Sequence, residues 1–264
     1  MRPSRFGLAP LAVTLPFLFL TAQPGSAASL STEYSVTVRG FPVGRAHLQA
    51  EFADGRYTIQ FSGGIRGLAR LFSNAETSAA SVGALGDSAM APATYRHVWT
   101  EDGETETVDM QFSGRRLTEM ALAPPEDHPE RYVPITSADK ADVLDPVSAF
   151  VWPVAGGVTP DICARTLSLI DGRRRFDIAL RYERMEDFST RDRSFRGRTA
   201  VCSFSYHAVA GHRIDKPDHG TIASGSGMEV WMAPVGPGLA APARIQLRTR
   251  IGRIVLVATS IHAN

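Results

Sequence analysis

Lysine is almost missing from this chain: Lys140 and Lys216 are the only two in 264 residues, and the other 26 basic residues are arginines. An excess of either charge is missing too. Lys and Arg total 28 against 27 Asp and Glu, a formal +1, so the whole-chain balance gives no attraction to nucleic acid or an acidic polymer. Cysteine is reduced to Cys163 and Cys202. None lies near the N-terminus, which excludes lipid attachment at a new N-terminal cysteine. Long apolar runs are lacking after Leu20, and the Leu8–Leu20 run, broken by Pro16, is short of the roughly 20 residues that cross a bilayer. No Gly-x-Ser-x-Gly elbow precedes a helix, and no phosphate-cradling or dinucleotide-binding glycine loop occurs.

What is present is an ordinary globular balance, 44% hydrophobic, 21% charged and 8% aromatic, with 23 glycines and 17 prolines, which excludes a disordered or fibrous chain. Arg2 and Arg5 precede the short apolar run, and Gly25 and Ala27 supply small residues after it. This is the pattern of a signal peptide over 1–27, cut after Ala27 or Ala28, and it predicts export to the periplasm. The remainder, 28–264, reads as one β-rich domain. In an oxidising compartment Cys163 and Cys202 are expected to form a disulfide. Cys202 alternates with Phe204 and Tyr206 on an apolar face, where a reactive thiol is not expected.

Period-2 alternation dominates. Ala46, Leu48, Ala50 and Phe52 oppose His47, Gln49 and Glu51. Asp54-Gly55 then supplies a hairpin turn, and Tyr57, Ile59 and Phe61 return on the same side, so 43–62 is a hairpin. The pattern recurs at 105–112, 173–183, 198–208, 228–232 and 244–250. The segment 253–261 is apolar on both faces and belongs deep in a sheet. Helical signals are few. Ile65, Leu68, Ala69 and Phe72 follow helical spacing, and Asp145-Pro146 reads as an N-cap followed by proline at the first helical position. Two stretches lack periodicity, the Pro-rich connection 123–134 and the glycine-rich loop 211–227.

About ten to twelve antiparallel strands and two short helical segments are therefore expected in one curled sheet. A sheet that wide must curl or split, and apolar helices would fill its concave side. The predicted fold is an open half-barrel rather than a two-sheet sandwich.

Several short motifs keep their order: Phe41-Pro42-Val43-Gly44, Gly67 to Ser73, Trp99 to Gly103, Leu144-Asp145-Pro146-Val147-Ser148, Asp171 to Arg175, Ala210-Gly211-His212 and Glu229-Val230-Trp231. On these, the chain resembles the proteobacterial family known as domain of unknown function 3108 over about residues 33–258. The resemblance implies an exported cell-envelope protein. It brings no established activity, so no catalytic residue carries over. In fold alone the pattern is similar to periplasmic lipoprotein-carrier half-barrels.

The residues support three readings. The first is a non-catalytic binding or carrier module for a lipid, acyl chain or hydrophobic peptide, with Phe61, Leu68, Phe72, Phe150, Trp152 and Trp231 lining the cavity and the loop 211–227 as a lid. The second is an interaction scaffold for another envelope protein. The third is a hydrolase acting on an envelope polymer or ester, which would need carboxylates or a serine–histidine pair to converge. No cofactor is expected. His212 and His219 are the weak candidates for a metal, but Asp215 to Gly220 also reads as a plain surface turn.

Overall fold

The computed structural model describes residues 27–215, 227–249 and 252–264. All of the predicted signal segment 1–27 except Ala27, together with His219 and most of the proposed lid loop, lies outside the described residues. Among the described residues, no helix is long and apolar enough to cross a membrane.

The strands are β1 (Ala28–Val38), β2 (Phe41–Ala53), β3 (Arg56–Ile65), β4 (Glu76–Leu85), β5 (Met90–Glu101), β6 (Glu104–Ser113) and β7 (Arg116–Ala123). After a long connection come β8 (Trp152–Pro153), β9 (Thr166–Ile170), β10 (Arg175–Ser189), β11 (Arg196–Ala210), β12 (Glu229–Pro234), β13 (Leu239–Thr249) and β14 (Gly252–Ala263). They form one antiparallel sheet ordered β7-β6-β5-β4-β3-β2-β1-β14-β13-β12-β11-β10-β9, with β8 added beside β13. The sheet is a single open one, as the alternation predicts. On either side of a central seam, where β1 pairs with β14, neighbouring strands of the ladder are consecutive along the chain. The Asp54-Gly55 turn joins β2 to β3 with φ of 51° and 68°, which places Leu48 opposite Phe61 and Ala50 opposite Ile59.

Two expectations need correction. Fourteen strands replace the ten to twelve expected. The two helical segments are absent as helices: among the described residues there are only short 3-10 turns, including Gly67–Leu71 and Ser148–Phe150. The first does not pack on the concave side at all. Leu68, Leu71 and Phe72 are 82%, 77% and 90% exposed. The space expected for a helix is instead filled by the connection before β8, mostly irregular chain with the single 3-10 turn Ser148–Phe150. Val143, Val147 and Val151 lie buried against the sheet in the main core, together with Leu48, Ile59, Tyr95 and Met110.

The same connection ties the two sheet edges together. Val143 N donates to Arg115 O and Leu117 N to Lys140 O on the β7 side. Leu144 N donates to Ser168 O, and Ile170 N to Leu144 O, on the β9 side. Earlier in the connection, Val133 N donates to His212 O and Gly211 N to Val133 O. The Pro-rich stretch therefore runs between the edges rather than separating two domains.

The half after the seam has a second apolar layer. Trp152, Val154, Ile162 and Cys163 cover the outer face of β11–β13, against Cys202, Val230 and Met232. Cys163 and Cys202 are bonded, with Cα atoms 5.5 Å apart. The bond fixes this covering segment to β11.

Candidate functional site

On the concave side of β3–β6, successive cross-strand rows differ in chemistry. The deepest row runs Ala50, Ile59, Ser81, Tyr95, Met110, Met120. The next runs Leu48, Phe61, Ala79, His97, Val108, Leu122. The row nearest the rim runs Ala46, Gly63, Thr77, Trp99, Glu106. Period 2 along each strand puts all three rows on one face.

The deep row is sealed by a polar knot. Asp145 has no exposed surface. Its carboxylate accepts from Ser81 Oγ at 2.8 Å, from Ser148 Oγ, and from the backbone N–H groups of Val147 and Ser148, both at 2.9 Å. Tyr57 Oη completes the knot, 2.7 Å from Ser148 Oγ. The N-cap read from Asp145-Pro146 is thus made, but it holds a single 3-10 turn against the sheet. Burial pushes the Asp145 carboxyl above its ordinary value, and these hydrogen bonds oppose the shift. Burial also pushes the Tyr57 hydroxyl up to about 12, with the nearby Asp145 charge adding to it. The knot holds Ser81, Ser148, Tyr57 and Asp145 but no histidine. It closes the bottom of the concavity and offers no exposed nucleophile.

Above the knot the concavity stays open. The small side chain of Ala79 lies between larger ones at a cleft of about 450 Å³. Its floor is Phe61, Ala79, Tyr95, His97 and Val108, and Val147 and Phe150 close one side. The Phe61 and Phe150 rings meet at 5.5 Å. His97 Nε2 lies 2.9 Å from Thr77 Oγ1. Burial lowers the His97 pKa, partly offset by Asp171 and Glu106. The floor is mainly apolar, with the His97 ring and the Tyr95 hydroxyl as its polar groups.

The rim is charged. The β9–β10 turn lies over β6, and Gly172 makes this possible. Its φ is +96°, and a Cβ there would collide with Val108. The turn brings in Arg173, whose guanidinium donates to Glu126 Oε2 at 2.9 Å and Glu106 Oε2 at 3.1 Å.

The six expected cavity residues do not converge. Phe61 and Phe150 meet in the cleft. Trp231 is buried in the main core between the guanidinium groups of Arg244, at 4.5 Å, and Arg184, at 5.6 Å. Trp152 is buried on the other face of the sheet, donating from Nε1 to Ala149 O at 2.7 Å. Leu68 and Phe72 stand outside on the β3–β4 turn. Sequence reading missed Ala79, Tyr95, His97 and Val108. The alternation Tyr95, His97, Trp99 was a usable signal, had His97 been read as facing inward. His212 is half-buried, and the adjacent Asp215 is held by Arg131 at 3.2 Å and Arg213 at 2.7 Å. Those guanidinium groups lower the Asp215 pKa. Glu101 and Glu104 pair across the β5–β6 hairpin turn.

An open, curled antiparallel sheet with an apolar cleft beneath one rim defines a barrel-like class of protein. Within that class, the chain belongs to the family described as "Protein of unknown function (DUF3108)", whose model matches residues 33–259. Among solved structures it is similar to a beta-barrel-like protein of domain of unknown function DUF1849 from Brucella abortus. That match has a TM-score of 0.52 and 8% identity, and it covers 92% of this chain and 100% of the other. It is a likeness of fold. The comparison with curated proteins gives no match.

Proposed function

We propose that this is an exported, non-catalytic binding module of the cell envelope that takes one acyl chain or similarly slender apolar ligand into the cleft above Ala79. The observation that carries the reading is the contrast between that cleft and the buried polar knot below it. The floor is mainly apolar, the rim charged, and about 450 Å³ is within the roughly 300–1,000 Å³ usual for small-ligand sites. A slender ligand suits the volume better than a multi-chain lipid. The bonded cysteine pair supports export, since such bonds persist in oxidising compartments. The non-catalytic reading is supported by the polar knot, whose serine hydroxyls and carboxylate are buried and hydrogen-bonded to one another.

The test is binding of a fluorescent fatty acid by protein recovered from the periplasm, with native mass spectrometry of the same sample to reveal any retained ligand. Wild type is expected to bind one equivalent. Ala79→Trp, which fills the floor between Phe61 and His97, is expected to weaken binding by about tenfold or more. A wild type that takes up no fatty acid, or an Ala79→Trp variant that binds equally well, would overturn the reading.

A further inference from the structure

The β3–β4 turn carries three apolar side chains that the fold does not use. Leu68, Leu71 and Phe72 are 82%, 77% and 90% exposed, and Phe41 on the adjacent β1–β2 turn is 74% exposed. A cluster of this kind on the outside of a folded chain marks a contact surface. The turn is not loosely attached. Arg66 N donates to Val43 O, Ser73 Oγ donates to Glu101 Oε1 at 2.7 Å, and Asp102 N donates to Asn74 Oδ1 at 2.8 Å. It is thus fixed to β2 on one side and to the β5–β6 turn on the other. Trp99, near the end of β5, stands at the rim of the cleft. Tip and cleft mouth are at the same end of the sheet.

The charges at that end are unevenly spread. The sector from β13–β14 to β3–β4 carries Arg248 and Arg253, which face each other across their hairpin, and Arg66 and Arg70. On this arginine-bearing flank the tip's acid is Glu76, 3.2 Å from Arg66 and 3.4 Å from Arg70. Both ion pairs are exposed, and such pairs exchange readily for other anions. The acidic residues Glu101, Asp102 and Glu104 lie on the other flank of the tip, at the β5–β6 turn, where Glu101 already accepts from Ser73 Oγ. Apolar side chains projecting singly from a narrow turn, with arginines behind them, fit the interface of a lipid bilayer, where the apolar groups enter and the guanidinium groups meet phosphate. Their exposure is too complete, and the turn too convex, to form a groove for a helix or strand.

We propose that the β3–β4 turn is a membrane-docking tip that seats the mouth of the cleft on a phospholipid surface bearing anionic head groups. This rests on the reading of the cleft as an acyl site, and gives that site its lipid source.

The experiment is flotation of the purified protein with vesicles of phosphatidylcholine and phosphatidylglycerol in equal parts, and with vesicles of phosphatidylcholine alone. Wild type is expected to float with the mixed vesicles, less with the neutral ones, and less at high salt. The triple variant Leu68→Ser, Leu71→Ser, Phe72→Ser is expected to lose about tenfold or more in partitioning, while its melting temperature and its fatty-acid binding stay as in wild type. In a Phe72→Trp variant, emission should shift to the blue when mixed vesicles are added. A wild type that stays with the unbound fraction, or a triple variant that floats equally well, overturns the proposal. So does a concentration-dependent dimer that the triple variant abolishes, which would assign the tip to a second copy of the chain. Flotation that depends on the tip, in a protein that binds no fatty acid, would support docking and remove the acyl reading alone.

Discussion

The two halves of the sheet bury themselves differently. Along β2 the residues from Gly44 alternate, with Ala46, Leu48, Ala50 and Phe52 buried and their neighbours turned outward. Along β11 and β12 the alternation vanishes: Thr199 to Cys202 are all buried, and so are Val230 to Ala233. The first half packs only its concave face and leaves the other to solvent. The second packs both, because β8 and the chain up to Cys163 cover its outer face. A one-sided half can keep part of its concave face open as a cleft. A two-sided half is the better anchor. The molecule divides the work: β9–β14 with the disulfide hold the frame, and β3–β6 shape the site.

That division can be tested. The largest effect is expected from Cys202→Ala. The bond spans 39 residues, for which the chain-entropy argument gives about 4 kcal/mol of stability. Urea unfolding of the variant should show most of that loss, while cleft occupancy in the remaining folded protein is unchanged. An equal loss of both would mean that the halves do not work separately.

Next is Asp145→Ala, which strands two hydroxyls and two N–H groups inside the core and should cost about 3 kcal/mol. Asp145→Asn tests the charge instead. The folded carboxyl titrates above its ordinary 3.8, so the folded state holds the proton more tightly than the unfolded state. Its contribution is fully present below pH 3.8 and is lost as pH rises through the folded value. The difference between wild-type and Asp145→Asn stability should therefore move against wild type across that window. A flat difference would show that the knot does not feel its burial.

Phe61→Ala removes a half-buried ring at the cleft and should cost about 1.5 kcal/mol of stability, with a clear loss of fatty-acid affinity. The smallest effect is expected from Phe72→Ser alone, within about 0.5 kcal/mol in unfolding experiments. A larger loss would mean that the tip is part of the core.

Most of the concave rows were legible because apolar and polar residues alternate so cleanly in β2, β3, β6 and β10. The undercount of strands has a physical source. Glu76–Leu85 is built of alanine, serine, threonine and glycine with little contrast between faces, and β9 is only five residues long. The helix expected at 65–72 matched helical spacing, yet Gly67 takes a φ of 63°, and the concave surface it needed was already occupied by Val143 to Val151. Asp145 was correctly read as a cap, but nothing local announced that Ser81, far away in β4, would meet it. The tryptophans Trp152 and Trp231 looked alike in their apolar surroundings. They ended on opposite faces of the sheet because only the path of the connection decides which face receives a second layer.

The seam at β1–β14 has a kinetic consequence. Every other strand pair in the main ladder joins neighbours along the chain, so each half can zip up through local hairpins. The seam joins Val38 to Ile254, and such a distant pairing pays its loop entropy before it gains contacts. Until it forms, β1 and β14 are two bare edges, each a template for the wrong neighbour. Refolding should therefore show early sheet formation in both halves and a later, first-order phase in which the halves meet, with concentration-dependent aggregation as the competing route.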